Sequence, residues 1–300
     1  MIRVDAVIIG GSFSGAAAAL YLARARRTVI VFDEGQPRNR FSSEGHGFLG
    51  MDGLAPADIQ ARAQGDLEKY SHIEVRRQRA LHVSGQFGDF RIVSEDGGVT
   101  SAARVILAHG MIDRVPEIPG LSECWGKTAL PCPYCHGYEV ADLPTGVIVT
   151  HAGSVHQARL LGDWTDDLSI ILHGTAIAPE DRSDLERRKA RIVDDTVVSV
   201  EHEDGAISSV TLRKGGIWPV SIVYVVAQAS FATAFPTDLG CETEVGPFGP
   251  IVKVDAQCQT TVRGVFAAGD ITRPVFGATW AAADGMSAGV ACHQSLVLEP

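Results

Sequence analysis

Three things are scarce in this 300-residue chain: long apolar runs, blocks of basic charge and closely spaced cysteines. No apolar run reaches the ~18 residues that a bilayer-spanning helix requires, so no membrane span is expected. Lys and Arg total 26 against 36 Asp and Glu, a net charge of −10. Basic residues gather only in short runs such as Arg24 to Arg27 and Arg187-Arg188-Lys189, which argues against nucleic acid as a partner. Of the six cysteines, only Cys132 and Cys135 are close neighbours. A structural zinc would need a second pair at ligand spacing. Cys124, Cys241, Cys258 and Cys292 therefore read as small buried hydrophobes. The N-terminus, Met1 to Asp5, runs straight into a strand pattern and does not look like a signal peptide. The expected compartment is the cytoplasm, where structural disulfides are rare.

With 45% hydrophobic and 21% charged residues, the chain can build a core of ordinary size, and its length suits two domains. Asp5 to Ile9 reads as a buried strand. Gly10-Gly11-Ser12-Phe13-Ser14-Gly15 follows, then an Ala/Leu-rich helix over Ala16 to Ala25. Thr28 to Phe32 reads as a second strand, ending at Asp33, 18 positions after Gly15. Strand, glycine turn, helix, strand and acid make the context of a dinucleotide-binding unit. The turn admits a pyrophosphate to the helix N-terminus, and Asp33 can accept a hydrogen bond from a ribose hydroxyl. One position departs from G-x-G-x-x-G: its middle glycine is Ser12, whose Cβ crowds the phosphate.

Glu34 to Gly53 reads as a loop too long to be a simple connection. We expect it to wrap the cofactor, with Arg38, Asn39, Arg40 and His46 among its contacts. Pro56 to Tyr70 reads as an amphipathic helix. Short strands are expected at Ile73 to Val75, Ala80 to Val83, Phe90 to Val93 and Arg104 to Ala108. The last runs into Ala108-His109-Gly110, again suited to backbone approach to a nucleotide. Pro116, Pro119 and Gly120 mark a boundary near residue 115. Gly146 to Thr150, the turn His151-Ala152-Gly153, a helix through Leu161 and a strand at Leu168 to Leu172 form a second β–α–β unit, whose turn has one glycine where three are expected. Further strands are expected at Ile192 to Val200, Ser209 to Arg213 and Ile222 to Ala227. A second connector is placed at Thr243 to Pro250. Gly264 to Asp270 reads as a strand ending in Gly269-Asp270, well placed for a ribitol or ribose hydroxyl, before a helix from about Ala278 to Leu298. We further count Phe13, Ser14, Glu34, Val83 and Ala278 as cofactor-facing candidates.

The stretch Cys132-Pro133-Tyr134-Cys135-His136 carries the chemistry. Two cysteines at this spacing can come within disulfide reach, and a helix start with a nearby base favours the reactive thiolate. His136 is the candidate base, since an imidazole with an unperturbed pKa of ~6.5 exchanges protons near neutrality. His109, His151 and His156 are weaker candidates that read as structural. Phe276 and Trp280 can shape a pocket or pack in the core.

Across nearly its whole length the sequence resembles the low-molecular-weight thioredoxin reductases and their relatives. The resemblance rests on Ile8 to Gly15, Asp33, Ala108-His109-Gly110, the Cys132–Cys135 pair and Ala267-Ala268-Gly269-Asp270, in that order. It implies an α/β protein of two Rossmann-like, three-layer ββα domains. An FAD domain is formed by residues 1–115 and 246–300, and a smaller pyridine-nucleotide-type domain, 116–245, is inserted between. It implies a homodimer in which Cys135 is the flavin-facing thiol and Cys132 exchanges with substrate. Two departures bear on function. Thioredoxin reductases would carry Cys-Ala-Thr-Cys-Asp, and they would place a glycine-rich turn and a basic pair in the inserted domain for NADPH. Here Thr150-His151-Ala152-Gly153 and Leu172-His173-Gly174-Thr175 stand in those places, so NADPH is doubtful. Cys-Pro-x-Cys-His with such a site is similar to the dithiol oxidases of the gliotoxin and holomycin type, which oxidise a small-molecule dithiol and pass the electrons to O2, releasing H2O2. An NADPH-dependent reductase of a thioredoxin-like protein and a flavin redox sensor without turnover remain the alternatives.

Overall fold

The computed structural model describes residues 2–299, which gather into two compact units. The first comprises Met1–Arg40, Pro56–Asp113 and Ala229–Pro300; the second comprises Phe41–Ala55 and Arg114–Gln228. The chain leaves the first unit close to the expected residue 115. It returns at 229, not at 246, because residues 229–245 have their own place in the first core: Ala229, Phe235 and Cys241 pack there with Val7, Phe90 and Leu107. The segment 41–55, expected with the cofactor loop, belongs to the second unit.

The first unit runs β1 (Ile2–Ile9), α1 (Phe13–Arg24), β2 (Val29–Phe32), α2 (Pro56–Leu67), β3 (Ile73–Arg76), β4 (Ala80–Gln86), β5 (Asp89–Ser94), β6 (Val99–Leu107) and β7 (Met111–Arg114). Its sheet is ordered β3-β2-β1-β6-β5-β4. The central strands are parallel and buried on both faces, which is why Asp5 to Ile9 and Thr28 to Phe32 are nearly continuous apolar runs. β6 divides its free edge. Val99 to Ala102 pair with antiparallel β5, while Val105 to Leu107 pair with a parallel strand from the far end of the chain. This fork opens the third layer.

The second unit runs α3 (Leu121–Cys124), β8 (Ala129–Leu130), α4 (Pro133–His136), β9 (Thr145–Ile148), α5 (Gly153–Leu161), β10 (Leu168–Ile171), α6 (Pro179–Arg187), β11 (Arg191–Val193), β12 (Val197–Glu203), β13 (Ala206–Leu212), β14 (Ile217–Pro219) and β15 (Ile222–Val225). A parallel sheet ordered β11-β10-β9-β15-β8 has α5 and α6 on one face, around Val147, Ile170 and Leu185. The antiparallel sheet β12-β13-β14 covers the other face, around Ile148, Val210 and Val223. Each unit thus has the three-layer form expected. The single strand expected at Ile192 to Val200 is two strands, because the Asp195 carboxylate accepts the Thr196 N–H at 2.7 Å and turns the chain.

The chain ends with β16 (Gln228–Phe231), α7 (Phe235–Asp238), β17 (Thr243–Val245), β18 (Pro250–Val252), β19 (Val265–Ala267) and α8 (Ala278–Leu298). The connector expected at Thr243 to Pro250 is an antiparallel hairpin of β17 and β18, closed by Gly246 N–H on Gly249 O at 2.8 Å. β19 completes the first sheet beside β6. α8 packs on α1 through small residues: a Cβ at Gly285 would lie 2.0 Å from Ser14 O, and one at Gly289 2.7 Å from Ala18 O. Gly285→Ala would force the helices apart and is expected to cost about 3 kcal/mol, in the range of overpacked cores. A lowered urea midpoint at unchanged slope would register it.

Candidate functional site

Two sites carry chemistry, one in each unit. In the first, glycines bring backbone against backbone. A Cβ on Gly10, whose φ is +101°, would stand 2.2 Å from Ala108 O; one on Gly15 would stand 1.7 Å from Gly10 O. The turn therefore seats the end of β1 against the end of β6, and α1 rises directly from it. The α1 N-terminus has neither a side-chain cap nor an acidic residue in its first turn, so the positive end of the helix dipole suits an anion. Ser12, the departure from the glycine pattern, turns its Oγ to accept Gln60 Nε2 of α2 at 2.8 Å. Ser14 is buried and abuts Gly269, where a Cβ would come within 2.7 Å of Ser14 Oγ. Gly10, Ser14, Gly15, Ala108 and Gly269 thus form one cradle, with Ser12 and Phe13 at the start of α1 beside it.

The acids are held in place. Asp33 Oδ2 accepts Arg77 Nη1 at 2.8 Å and its Oδ1 accepts Gly35 N–H at 3.2 Å. Glu34 pairs with Arg79. Arg38 bridges two carboxylates: it pairs with Asp113, donates to Asp270 Oδ2 at 2.9 Å, and lies 3.8 Å over the Phe276 ring. Burial works against the Arg38 charge, but the bonds to Asp113 and Asp270 outweigh it and hold the guanidinium above its usual range. Asn39 Oδ1 is buried without a partner, as an acceptor facing a cofactor group would be. Arg40 donates to Pro37 O, Val83 is buried on the edge strand β4, Gly110 turns with φ +69°, and Ala278 begins α8. The backbone cradle, the uncapped helix end, the orphaned Asn39 oxygen and the oriented carboxylates Asp33 and Asp270 fit a dinucleotide such as FAD. His109 is a neutral imidazole. Burial pushes it down to about 4 against a weaker upward pull from Gly110 O, and it packs edge-on against Phe231 and Phe235.

The second site is the thiol pair. Pro133 at the first position of α4 presets the helical φ, and Cys132 is the N-cap. Gly137 closes the turn on Pro133 O at 2.7 Å. A Cβ there would meet the Trp164 ring at 2.9 Å, and the same indole stacks edge-on with Tyr134. Cys132 is half-buried and Cys135 exposed. Cys132 is pulled down to about 7, chiefly by a hydrogen bond from the Cys135 thiol; burial opposes this, and the backbone N–H groups of Cys135 and Tyr134 add to it. The thiolate, the nucleophilic form, is thus favoured at Cys132 relative to an ordinary cysteine.

His136 lies next in the chain, and burial lowers its pKa, with Glu139 opposing and His46 reinforcing the shift. Its Nε2 is 3.4 Å from Ser42 Oγ. His46, expected among the cofactor contacts, sits with its ring edge-on to His136, centroids 6.4 Å apart. The reason is the segment 41–55, which joins the second unit. His46 Nδ1 is 3.4 Å from Asp52. Its Nε2 is 3.4 Å from Glu139 and 3.6 Å from Glu44, close to both but aligned with neither for a hydrogen bond. Two imidazoles, His136 and His46, thus stand beside the cysteines with three carboxylates, Glu44, Asp52 and Glu139, around them. Ser42, Glu44 and Glu139 carry no motif, so only the path of the loop could have revealed them. No group of His, Cys, Asp and Glu among the described residues is arranged to hold a metal ion.

The second β–α turn, between β9 and α5, is closed on itself. Gly153 N–H donates to His151 Nδ1 at 3.0 Å, and Thr150 Oγ1 donates to Val226 O. Beyond β10, His173 takes a left-handed φ of +51° and accepts Val197 N–H at 3.2 Å. α6 then opens with Glu180 and Asp181. Arg159 of α5 is bound by Asp184 and Asp181 at 2.8 and 2.6 Å.

The family model for pyridine nucleotide-disulphide oxidoreductases matches residues 4–292. A protein named thioredoxin reductase tcpT, from Claviceps purpurea, is 31% identical over 89% of this chain and 86% of its own length. A "Probable thioredoxin reductase" from Arthroderma benhamiae is also 31% identical, over 62% of this chain; the match spans about half, 48%, of that relative. Among solved structures, an oxidoreductase from Agrobacterium tumefaciens superposes with a TM-score of 0.95 at 36% identity, covering 100% of both chains.

Proposed function

The chain belongs to the pyridine nucleotide-disulphide oxidoreductases, and from that premise we propose that it is an FAD-dependent dithiol oxidase, closing a disulfide in a small dithiol with O2 as acceptor and H2O2 as product. The observation that carries this reading is the second β–α turn. NADPH asks such a turn for close backbone approach and for cations at the 2′-phosphate. Here the turn amide of Gly153 is taken by His151, Arg159 is taken by two aspartates, and α6 presents Glu180 and Asp181. Electrons are therefore assigned to arrive from a thiol.

The second unit performs the thiol chemistry. His136, neutral at pH 7 because burial lowers its pKa, takes the proton of the incoming thiol. The substrate thiolate attacks Cys132 Sγ of the Cys132–Cys135 disulfide; the new S–S bond forms as the old one breaks, and Cys135 leaves as thiolate. The second substrate thiol, deprotonated in turn, attacks the substrate sulfur of that mixed disulfide and expels Cys132. The substrate leaves as a disulfide, two electrons poorer, and the pair holds those electrons. Bound by the cradle of Gly10, Ser14, Gly15, Ala108 and Gly269, FAD would supply the two-electron relay from the pair to oxygen.

A second reading, a reductase acting on a thioredoxin-like protein, is favoured by the names of the relatives and opposed by the same turn. With purified holoprotein and a small dithiol in air, one O2 consumed and one H2O2 released per disulfide formed, with no requirement for NADPH, is the expected result. Thiol oxidation that yields no peroxide would overturn the reading.

A further inference from the structure

A buried polar atom without a partner is rare in a folded chain and calls for a reason. His46 Nε2 is one. The segment that carries it holds the ring still. Gly45 N–H donates to Leu54 O at 2.9 Å, Gly53 N–H donates to Gly45 O at 3.0 Å, and the Asp52 carboxylate accepts Gly47 N–H at 2.7 Å. The same carboxylate stands 3.4 Å from His46 Nδ1. When the Nδ1 proton is given to Asp52, Nε2 is left as a lone pair beside two further carboxylates, Glu139 at 3.4 Å and Glu44 at 3.6 Å, a contact that repels. A proton on Nε2 reverses it, because an imidazolium donates from both nitrogens. The His136 ring lies edge-on to His46, centroids 6.4 Å apart, a gap that one bridging water spans.

Two thiols lose protons in each turnover of a dithiol, so the single base His136 has to be emptied between them. We propose that His46 is a positioning residue acting through His136: its Nε2 receives the first substrate proton from His136 and frees that imidazole for the second thiol. The proposal rests on the reading of Cys132 and Cys135 as the place where a dithiol gives up its electrons. The first thiol proton passes to His136 and on to His46 as the substrate sulfur bonds to Cys132 and Cys135 leaves as thiolate. The second thiol proton stays on His136 as the substrate disulfide closes and Cys132 leaves as thiolate. Two thiolates and two imidazolium ions result, so the net charge of the site is unchanged, and the pair holds the two electrons. The charged groups around the His46 ring are Glu44 and Asp52 from its own segment and Glu139 and His136 from the segment after the cysteines. Burial lowers the His136 pKa, and His46 adds to it against Glu139, which favours handing the first proton on. Charge on His46 then resists a second proton on His136; the Cys135 thiolate formed in the same step, next to His136 in the chain, offsets it.

The test compares two thiols on the oxidised, oxygen-free holoprotein near neutral pH. Mercaptoethanol adds to Cys132 with one deprotonation; dithiothreitol adds and then closes, which takes two. Acid quench and mass spectrometry of the intact protein read the mixed disulfide and the fully reduced pair. In His46→Gln the ratio of the dithiothreitol reduction rate to the mercaptoethanol addition rate should fall about a hundredfold, the low end for loss of a positioned proton acceptor, and added imidazole should restore it. A ring with only a structural role would slow both thiols alike. An unchanged ratio therefore overturns the proposal, as does a fallen ratio that imidazole leaves unrestored. Glu139→Gln, which keeps the His46 ring and its segment intact, should lower the same ratio, and an unchanged ratio there overturns it too. Dithiothreitol opens the pair whichever way electrons run in turnover, and the assay uses neither oxygen nor NADPH, so its outcome is separate from that of the oxidase reading.

Discussion

Cys135→Ser is expected to lower dithiol turnover by on the order of a thousandfold or more, as loss of a residue that makes and breaks a covalent bond does. Serine keeps a hydroxyl that can donate to the Cys132 sulfur, the chief interaction that pulls Cys132 down to about 7. The nucleophile is thus preserved while its redox partner is removed. Two consequences separate this loss from simple damage. The variant should remain yellow, because the cradle of Gly10, Gly15, Ala108 and Gly269 is built from other elements. Treated with an aromatic disulfide at neutral pH, it should form one stable mixed disulfide at Cys132, releasing one aromatic thiolate, because no second thiol is positioned to resolve it. Mass spectrometry of the intact protein checks this directly. Turnover at the wild-type rate would remove the thiol pair from the mechanism.

His136→Gln is expected to cost about a hundred- to ten-thousandfold in turnover, the range for a positioned general base, and to change the shape of the pH profile. The sign follows from the shift. Burial, reinforced by His46, lowers the His136 pKa below its ordinary value, so the neutral base is present at pH 7 and is lost only as pH falls through that lowered pKa. Wild-type rates should hold down to below about pH 6.5 and then decline, while the glutamine variant should be slow throughout and lack that decline. Steady-state rates across pH 5 to 8, with the flavin spectrum as a control for intact protein, read both effects. A variant with the wild-type profile would transfer the proton chemistry to His46, whose Nε2 stands among Glu139 and Glu44.

Much of this was legible in the residues because the relevant signals are local. Asp5 to Asp33 encode strand, turn, helix and strand in one continuous stretch, and the structure realises them as β1, α1 and β2 with Gly10 and Gly15 making the close approaches. Cys132-Pro133-Tyr134-Cys135-His136 announces its own helix start through the proline. What could not be read depends on which distant segments meet. Residues 41–55 look like part of a cofactor loop, yet they bring His46 and Ser42 to His136. Residues 243–250 have the Gly/Pro content of a connector, yet they form a hairpin, because Gly246 and Gly249 serve a tight turn as well as a linker. The return of the chain at 229 depends on Ala229, Phe235 and Cys241 filling the first core, and nothing in their local composition distinguishes them from the preceding strand.

The central claim is that electrons reach the Cys132–Cys135 pair from a thiol substrate and not from NADPH. Absorbance of the bound flavin near 450 nm, followed under strictly anaerobic conditions, tests it most directly. Addition of a small dithiol should bleach the band, with recovery on admission of air, and addition of NADPH alone should leave it unchanged. Bleaching by NADPH would contradict the account.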